Sequence, residues 1–246
     1  MIRLKLTVQY DGGAYYGWQV QDGLPTVQGA LENALAQIVG HEVEIQGAGR
    51  TDRGVHAWGQ VAHVDVAKDL DIIKYIGGMN RFLPDDIRVI DAEKVGEEFH
   101  ARYSGKARHY VYRLWNARQL RPDLVGHAGH AVLPLDTEAM RQAVEMFPLG
   151  ESDFKGFQDA ECQSKVSLCD LLYMRWLEEA PNLWRLEIAA NHFLHHMVRN
   201  IVGTLVEVGL GKRPVTGLVD ALNTQDRTLA GITFAPDGLY LVKVDY

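Results

Sequence analysis

The sequence predicts an α+β fold made of two related halves. Stretches with an apolar residue at every second position alternate with stretches whose apolar residues recur at helical spacing. About the first hundred residues follow the order strand, helix, strand, strand, helix, strand, which is typical of a ferredoxin-like unit. The remainder repeats this theme more loosely, so we expect an N-terminal half over residues 1–103 and a C-terminal half over residues 104–246.

Local signals place the elements of the first half. Apolar and polar residues alternate from Ile2 to Tyr10, which predicts a half-buried strand. A helical pattern follows Thr26, a residue suited to an N-cap, and Gly40 suits the end of that helix. We then expect, in order, a short strand over 43–46, a loop over 47–54, a strand near 61–66, a helix near 70–82 and a strand over 87–95.

The second half carries strands and helices of its own. Asp136 is placed to cap one helix, and a long helix is expected from about Phe193 to Val208, ending at Gly209. The remaining predicted elements are strands over 108–116, near 168–177, over 183–190 and over 239–244, and a helix after residue 214.

Composition excludes several classes of protein. The 25 basic and 32 acidic residues give a net charge of −7, which excludes a protein that coats nucleic acid by bulk charge but permits a local basic patch. The only cysteines, Cys162 and Cys169, form neither a disulfide framework nor a CxxC metal knuckle, which favours a reducing compartment. No apolar run reaches the ~18 residues of a membrane span, and the N-terminus lacks a signal-peptide pattern. We therefore expect a cytoplasmic protein with no membrane partner.

A glycine-rich segment, Gly47 to Ala57, is the first candidate for chemistry. Three glycines within eight residues surround Arg50, Asp52 and Arg53. Catalytic groups are often carried on such loops. The spacing fits equally a tight turn between strands with a surface Arg–Asp pair, so both interpretations stay open.

A second candidate is the segment from Asn191 to Gly203, which contains Arg199. The segment is apolar on more than one face, so its helix should be buried, and a buried guanidinium needs a carboxylate or other acceptors. Alternatively, Arg199 points out of a narrow polar strip. His192 and His196 have i, i+4 spacing, but Phe193 stands where a zinc protease motif needs Glu, so we expect no metal there.

A third candidate mixes cations and tyrosines between Phe99 and Arg113, and Arg118 and Arg121 extend it. Cations suit phosphates and aromatic faces suit unstacked bases, so the mixture favours RNA binding. A half-buried strand with its tyrosines in the core explains the same pattern.

Five blocks together resemble the tRNA pseudouridine synthase A family over essentially the whole chain. They are Tyr10-Asp11-Gly12 with Tyr16-Gly17-Trp18-Gln19, Gly49-Arg50-Thr51-Asp52, Gly54-Val55-His56, Phe99-His100-Ala101-Arg102, and His195-His196-Met197-Val198-Arg199-Asn200-Ile201-Val202-Gly203. Arg53 departs from the pattern, since the family more usually has Ala there.

The resemblance implies an isomerase that converts uridine to pseudouridine at positions 38–40 of the tRNA anticodon stem-loop. It also implies a homodimer, no cofactor, no metal, and two ferredoxin-like (RRM-like) halves whose mixed, mostly antiparallel sheets merge around a central cleft. Carried over by position, Asp52 is the nucleophile, Tyr110 faces the uracil, and Arg199 pairs with the catalytic carboxylate. Arg50 holds the base out of the stack, and Arg102 and Arg118 contact RNA.

The chemistry gives these residues a physical rationale. The target nucleotide must leave the stack, at a cost of a few kcal/mol that a cation and new stacking can offset. An arginine partner keeps a carboxylate ionised, so Arg199 would keep Asp52 in its charged form. Asp52 would in turn supply the carboxylate that a buried Arg199 needs. Whether Asp52 attacks C1′ or C6, or removes a proton, stays open.

Two other functions remain as alternatives. One is a non-catalytic RNA-binding module with two RRM-like sheets, which leaves the glycine-flanked Asp52 unexplained. The other is a hydrolase of a small phosphorylated substrate, which would need Mg²⁺-binding carboxylates that do not cluster near Asp52 in the sequence.

Overall fold

A computed structural model describes residues 1–159 and 166–246. The chain groups into two compact units, Met1–Lys106 with Tyr240–Tyr246, and Ala107–Leu239. Each unit combines helices with a β-sheet, so the predicted α+β class is confirmed. Cys162 lies outside the described residues, whereas Cys169 is buried at the start of β8. The boundary between residues 103 and 104 and the merging of the two sheets stay predictions.

The first unit has the strand order of a ferredoxin-like fold, β4-β1-β3-β2, with antiparallel neighbours. Its elements are β1 (Ile2–Tyr10), α1 (Val27–Val39), β2 (Gln46–Gly47), β3 (His56–Val66), α2 (Ile72–Phe82) and β4 (Ile87–Val95). Central β1 pairs with β3 from Ile2 opposite Val66 to Tyr10 opposite Ala57. This register brings the start of β3 beside the end of β1.

The local signals explain why these elements form. Leu4, Leu6 and Val8 of β1 are fully buried, as the alternating pattern predicts. The Thr26 hydroxyl accepts a hydrogen bond from the Gly29 amide at 3.3 Å and caps α1.

Three boundaries in this unit differ from the prediction. The second strand is only Gln46–Gly47 rather than 43–46, and β3 begins at His56, five residues before the predicted start. Helix α2 begins at Ile72 rather than near residue 70 because Asp71 keeps an extended backbone. Both strand differences arise from long-range pairing, which local alternation does not report.

The second unit is built on an antiparallel sheet with the order β5-β9-β8-β7. Its elements are β5 (Ala107–Asn116), β6 (Gly129–Ala131), α3 (Thr137–Glu145), β7 (Gly150–Asp153), β8 (Leu168–Ala180), β9 (Leu183–Ala190), α4 (Met197–Gly209) and α5 (Gly217–Thr224). Asp136 caps α3 as predicted, since its carboxylate accepts from the Ala139 amide at 2.9 Å.

The predicted start of the long helix at Phe193 is wrong. Helix α4 begins at Met197 because His196 adopts a left-handed backbone, with φ of 60°. Such a conformation cannot belong to a right-handed helix. Residues 193–196 therefore form an irregular segment ahead of the helix.

The final strand, β10 (Leu239–Asp245), returns the chain to the first unit. Tyr240 and Leu241 pair in parallel with His56 and Ala57 of β3. Among residues 1–159 and 166–246, no helix has the length and hydropathy that crossing a membrane requires.

Candidate active site

The loop that carries Asp52 joins β2 to β3 and is closed by hydrogen bonds at both ends. The Ala48 amide donates to the Val61 carbonyl at 2.7 Å, and the Gln60 side-chain amide donates to the Gly49 carbonyl at 2.9 Å. Beyond the aspartate, the Val55 amide donates to the Asp52 carbonyl at 3.1 Å. The half-buried Asp52 therefore sits in a loop whose backbone is fixed on either side.

The segment after β1 braces the residue just before the aspartate. The Trp18 amide donates to the Thr51 carbonyl at 3.0 Å, and the hydroxyls of Tyr10 and Thr51 lie 2.8 Å apart in a buried position. Gly17 has φ of 89°, and a Cβ there would lie inside contact distance of the Thr51 carbonyl oxygen. Only glycine permits this approach.

A second brace lies on the other side of the aspartate. Nδ1 of buried His56 lies 3.1 Å from the Gly12 amide nitrogen and 3.0 Å from the Asp11 carboxylate. A Cβ on Gly12 would collide with the Val55 carbonyl oxygen. The aromatic segment from Tyr10 to Gln19 thus packs against the loop that carries Asp52.

Sequence reasoning missed the supporting role of Tyr10, Gly17 and His56. The sequence places Tyr10 at the end of the first strand and in the first block of the resemblance, and neither observation identifies its hydroxyl contact with Thr51. The signal that could have identified this role is the pattern of Gly17 between Tyr16 and Trp18, because a glycine between two aromatic residues in a loop indicates close backbone approach.

The outer side of the loop carries two exposed cations. Arg50 donates from Nε to the side-chain oxygen of Gln19 at 3.2 Å. The Arg53 guanidinium lies over the ring of Tyr16, 4.3 Å from its centroid. Asp52 therefore has an arginine on either side of it in sequence. The side chain of each arginine contacts a residue of the segment from Tyr10 to Gln19.

Arg102, the third predicted site residue of this unit, is exposed on the turn after β4. Its guanidinium lies 5.8 Å from the ring of Tyr103, which is 78% exposed. The Tyr103 ring in turn lies 4.3 Å from His100, and His100 lies 4.5 Å from His63. The Arg102 guanidinium therefore lies beside the exposed ring of Tyr103, and that ring packs against His100.

Arg199, in the second unit, is half-buried in the first turn of α4. It donates from Nε to the Phe234 carbonyl at 2.8 Å, and the Phe234 amide donates back to the Arg199 carbonyl at 3.2 Å. The backbone carbonyl of Phe234 is therefore one of the acceptors that we expect for the Arg199 guanidinium. Burial raises the pKa of the neighbouring Tyr112 hydroxyl, and the charge of Arg199 opposes that effect.

Tyr110 and Arg118, also in the second unit, occupy different environments. Tyr110 is half-buried on β5 opposite Ile188, and its ring meets Phe193 edge to face at 4.9 Å between centroids. Arg118 is exposed in the segment after β5. The pairing of Asp52 with Arg199 and the position of Tyr110 beside the substrate stay predictions.

The histidines before α4 have contacts within the second unit. His192 and His196 do not share a helix, since α4 begins after both. Nδ1 of His196 lies 2.8 Å from the Asp159 carboxylate, and Nε2 of His192 lies 3.4 Å from the Cys169 sulfur. Burial lowers the pKa of His192, which favours its neutral form.

Comparison with known proteins gives one matching family model and relatives that match over nearly the whole chain. The family model described as tRNA pseudouridine synthase matches residues 6–104 and 143–246. The protein named tRNA pseudouridine synthase A from Neisseria meningitidis serogroup C (strain 053442) is 48% identical, over 99% of this chain and 92% of its own length. The protein of that name from Bradyrhizobium diazoefficiens is 45% identical, over 100% of both. A chain in the crystal structure of a Cbf5-Nop10-Gar1 complex covers 97% of this chain at 12% identity with a TM-score of 0.39, too low to carry an argument.

The match to the family model and the two relatives named tRNA pseudouridine synthase A define the chain as an isomerase that modifies RNA. More particularly, it belongs to the tRNA pseudouridine synthase family.

Proposed function

We propose that this chain isomerises uridine to pseudouridine at positions 38–40 in the anticodon stem-loop of tRNA, with Asp52 as the nucleophile. The observation that carries the proposal is the loop around Asp52, which is fixed by backbone hydrogen bonds and a glycine contact and flanked by two exposed arginines. A preorganised carboxylate beside cations that can bind RNA is what the reaction requires.

The reaction exchanges one glycosidic bond for another. The N1–C1′ bond breaks, the uracil rotates, a C5–C1′ bond forms, C5 loses its proton and N1 gains one. Asp52 acts either by attack on C1′ or C6 or by removing a proton, and its ionised form is needed in each case. Arg199 is proposed to keep that carboxylate ionised.

Arg50 and Tyr110 are proposed to stabilise the state in which the target base has left the stack. A base that leaves the stack exposes its neighbours, and a guanidinium inserted in its place restores some of the lost contact. Arg50 is suited to this role because it is exposed two residues from Asp52 and is held only by the amide oxygen of Gln19. The Tyr110 ring is proposed to face the uracil.

Arg102 and Arg118 are proposed as further RNA contacts, and the active form as a homodimer in the cytoplasm, where tRNA is found. Support for Arg102 comes from its exposed position over Tyr103, whose ring can stack on an unpaired base. Arg118 is supported by its exposure and by the resemblance.

Mapping pseudouridine in tRNA tests the proposed positions. Transcripts with uridine at position 38, 39 or 40, and matched transcripts with cytidine at all three, are incubated with the protein and mapped by carbodiimide adducts. Product confined to positions 38–40 is expected, and product elsewhere with none at 38–40 would contradict the assignment. Asp52→Ala separates the alternatives, because a binding module would show no product with either protein, whereas the enzyme loses product and keeps tRNA affinity.

A further inference from the structure

Arg53, directly after Asp52, is a cation that the reaction scheme above does not use. Its guanidinium lies over the Tyr16 ring, 4.3 Å from the ring centroid, and both side chains are exposed. The ring covers one side of the guanidinium, and an exposed guanidinium keeps N–H donors for a further partner. Those N–H groups are therefore available to a planar or tetrahedral anion in solution.

Several other cations of the first unit are paired with carboxylates. Arg3 pairs with Asp65, Arg88 with Asp85 and Lys94 with Asp69. No carboxylate among residues 1–159 and 166–246 forms an ion pair with Arg53. Its charge is thus not neutralised within the described part of the chain, although the protein as a whole is acidic.

The position of Arg53 is fixed by the same contacts that fix the aspartate. Tyr16 precedes Gly17, whose backbone abuts Thr51 and Asp52, and the Trp18 amide donates to the Thr51 carbonyl. The ring that supports Arg53 and the loop that carries Arg53 are therefore locked together. A guanidinium held in place loses little side-chain freedom on binding, so its contact is more favourable than that of a free surface cation.

We propose that Arg53, positioned by Tyr16, binds a backbone phosphate of the tRNA beside the target uridine. The inference rests on the proposed function and extends it by naming a second anchor next to Asp52. Because the partner is a phosphate, the contact is independent of RNA sequence and strengthens as salt is lowered. Tyr16 is a positioning residue that acts through Arg53.

The test measures equilibrium binding of an unmodified tRNA transcript to the full chain in the Asp52→Asn background, so that substrate is not consumed. Arg53→Ala is compared with Arg81→Ala, which removes another exposed arginine, on α2. Arg53→Ala is expected to raise Kd roughly three- to tenfold and to reduce the slope of log K against log salt by about 0.7–0.9, the value of one phosphate contact. Arg81→Ala is expected to match the background protein.

Tyr16→Leu supplies the readout for positioning. It should weaken binding less than Arg53→Ala, and it should add no further loss when the two are combined. Arg53→Lys keeps the charge without the planar stack, and should recover the salt slope but only part of the affinity.

Three results would be decisive against the proposal or its basis. Equal Kd and slope for Arg53→Ala and Arg81→Ala would overturn the phosphate contact. A loss that changes with tRNA sequence while the salt slope stays constant would also overturn it, in favour of a base contact. If the parent protein binds tRNA through Arg53 but forms no pseudouridine, the proposed function fails and the phosphate contact stands.

Discussion

The backbone amide of Trp18 donates to the carbonyl oxygen of Thr51 across 3.0 Å. This bond joins the segment after β1 to the residue directly before Asp52. The position of the carboxylate therefore depends on a part of the chain that takes no part in the proposed chemistry. Catalytic groups need this kind of support, because a small displacement of a reacting group costs much of its rate enhancement.

Replacing Gly17 tests how much the loop that carries Asp52 depends on the close approach of Gly17 to the Thr51 carbonyl. Gly17→Ala introduces a Cβ inside contact distance of the Thr51 carbonyl at a residue with φ of 89°. We expect a loss of about 2–3 kcal/mol in the free energy of unfolding, measured by urea denaturation, and a marked fall in kcat. Gly23→Ala is the matched control, since Gly23 also has positive φ but open space around its Cβ position. It should cost only about 1 kcal/mol, and equal losses would contradict the steric account.

The buried hydroxyl pair of Tyr10 and Thr51 should couple energetically. Tyr10→Phe removes one partner of a 2.8 Å hydrogen bond and leaves the Thr51 hydroxyl in a buried place. Each of Tyr10→Phe and Thr51→Val is expected to cost about 1–2 kcal/mol of stability, and the double variant less than their sum. Strict additivity in a double-mutant cycle would show that the two hydroxyls do not interact.

Stability should fall on acidification through His63. Burial is the main cause that lowers the pKa of His63 below its ordinary value of 6.5, His100 and Arg3 lower it further, and Asp65 opposes the shift. Its Nδ1 accepts a hydrogen bond from the Ala101 amide at 3.2 Å, which requires that nitrogen to be unprotonated. The stabilisation is full above pH 6.5 and is lost as the pH falls from there through the lowered folded pKa.

The free energy of unfolding, measured in urea between about pH 5 and pH 7.5, checks this sign. His63→Asn, which keeps an acceptor and cannot titrate, should make the dependence shallower in that range. The control His41→Asn alters an exposed histidine and should keep the parent slope. A His63→Asn profile as steep as that of the parent would exclude His63 as the cause.

In the second unit, the helix that carries Arg199 packs backbone against backbone with the segment after α5. A Cβ on Gly203 would overlap the carbonyl oxygen of Ile232, and the Gly231 amide donates to the Thr204 hydroxyl at 2.8 Å. Gly203→Ala is therefore expected to destabilise the protein by about 3 kcal/mol or more in urea denaturation, because backbone must move. Gly77→Ala, at an exposed position of helix α2 with open space around its Cβ, should instead stabilise by up to about 1 kcal/mol. A neutral Gly203→Ala would contradict this packing.

Local signals predicted much of the fold. The alternation in β1 and the capping residues of α1 are signals that involve only neighbouring residues in the sequence. The observed bounds of both elements agree with the bounds that these signals predict. The start of β3 was not predictable in this way, because it contains Gly59, and glycine is a poor strand former. Gly59 is required there by the neighbouring strand, since a Cβ would meet the Val242 carbonyl.

The candidate site was predictable in its chemistry but not in its support. Spacing of glycines identified the loop of Asp52, and the resemblance supplied the residue's role. The contact of Gly17 with Thr51 joins residues distant in sequence, so the local pattern can indicate a close backbone approach at Gly17 but not its partner. The left-handed His196, which delays the start of α4, is likewise set by tertiary contacts, among them the Asp159 carboxylate.

The release of tritium from tRNA labelled at C5 of uridine measures the proposed chemistry most directly, because C5 must lose its hydrogen when it bonds to C1′. The parent protein and Asp52→Asn are compared at equal tRNA occupancy, established by filter binding. We predict that the parent releases tritium in proportion to pseudouridine formed, whereas Asp52→Asn binds the tRNA and releases none above background. Tritium release by Asp52→Asn at the parent rate would contradict the assignment of Asp52 as the nucleophile.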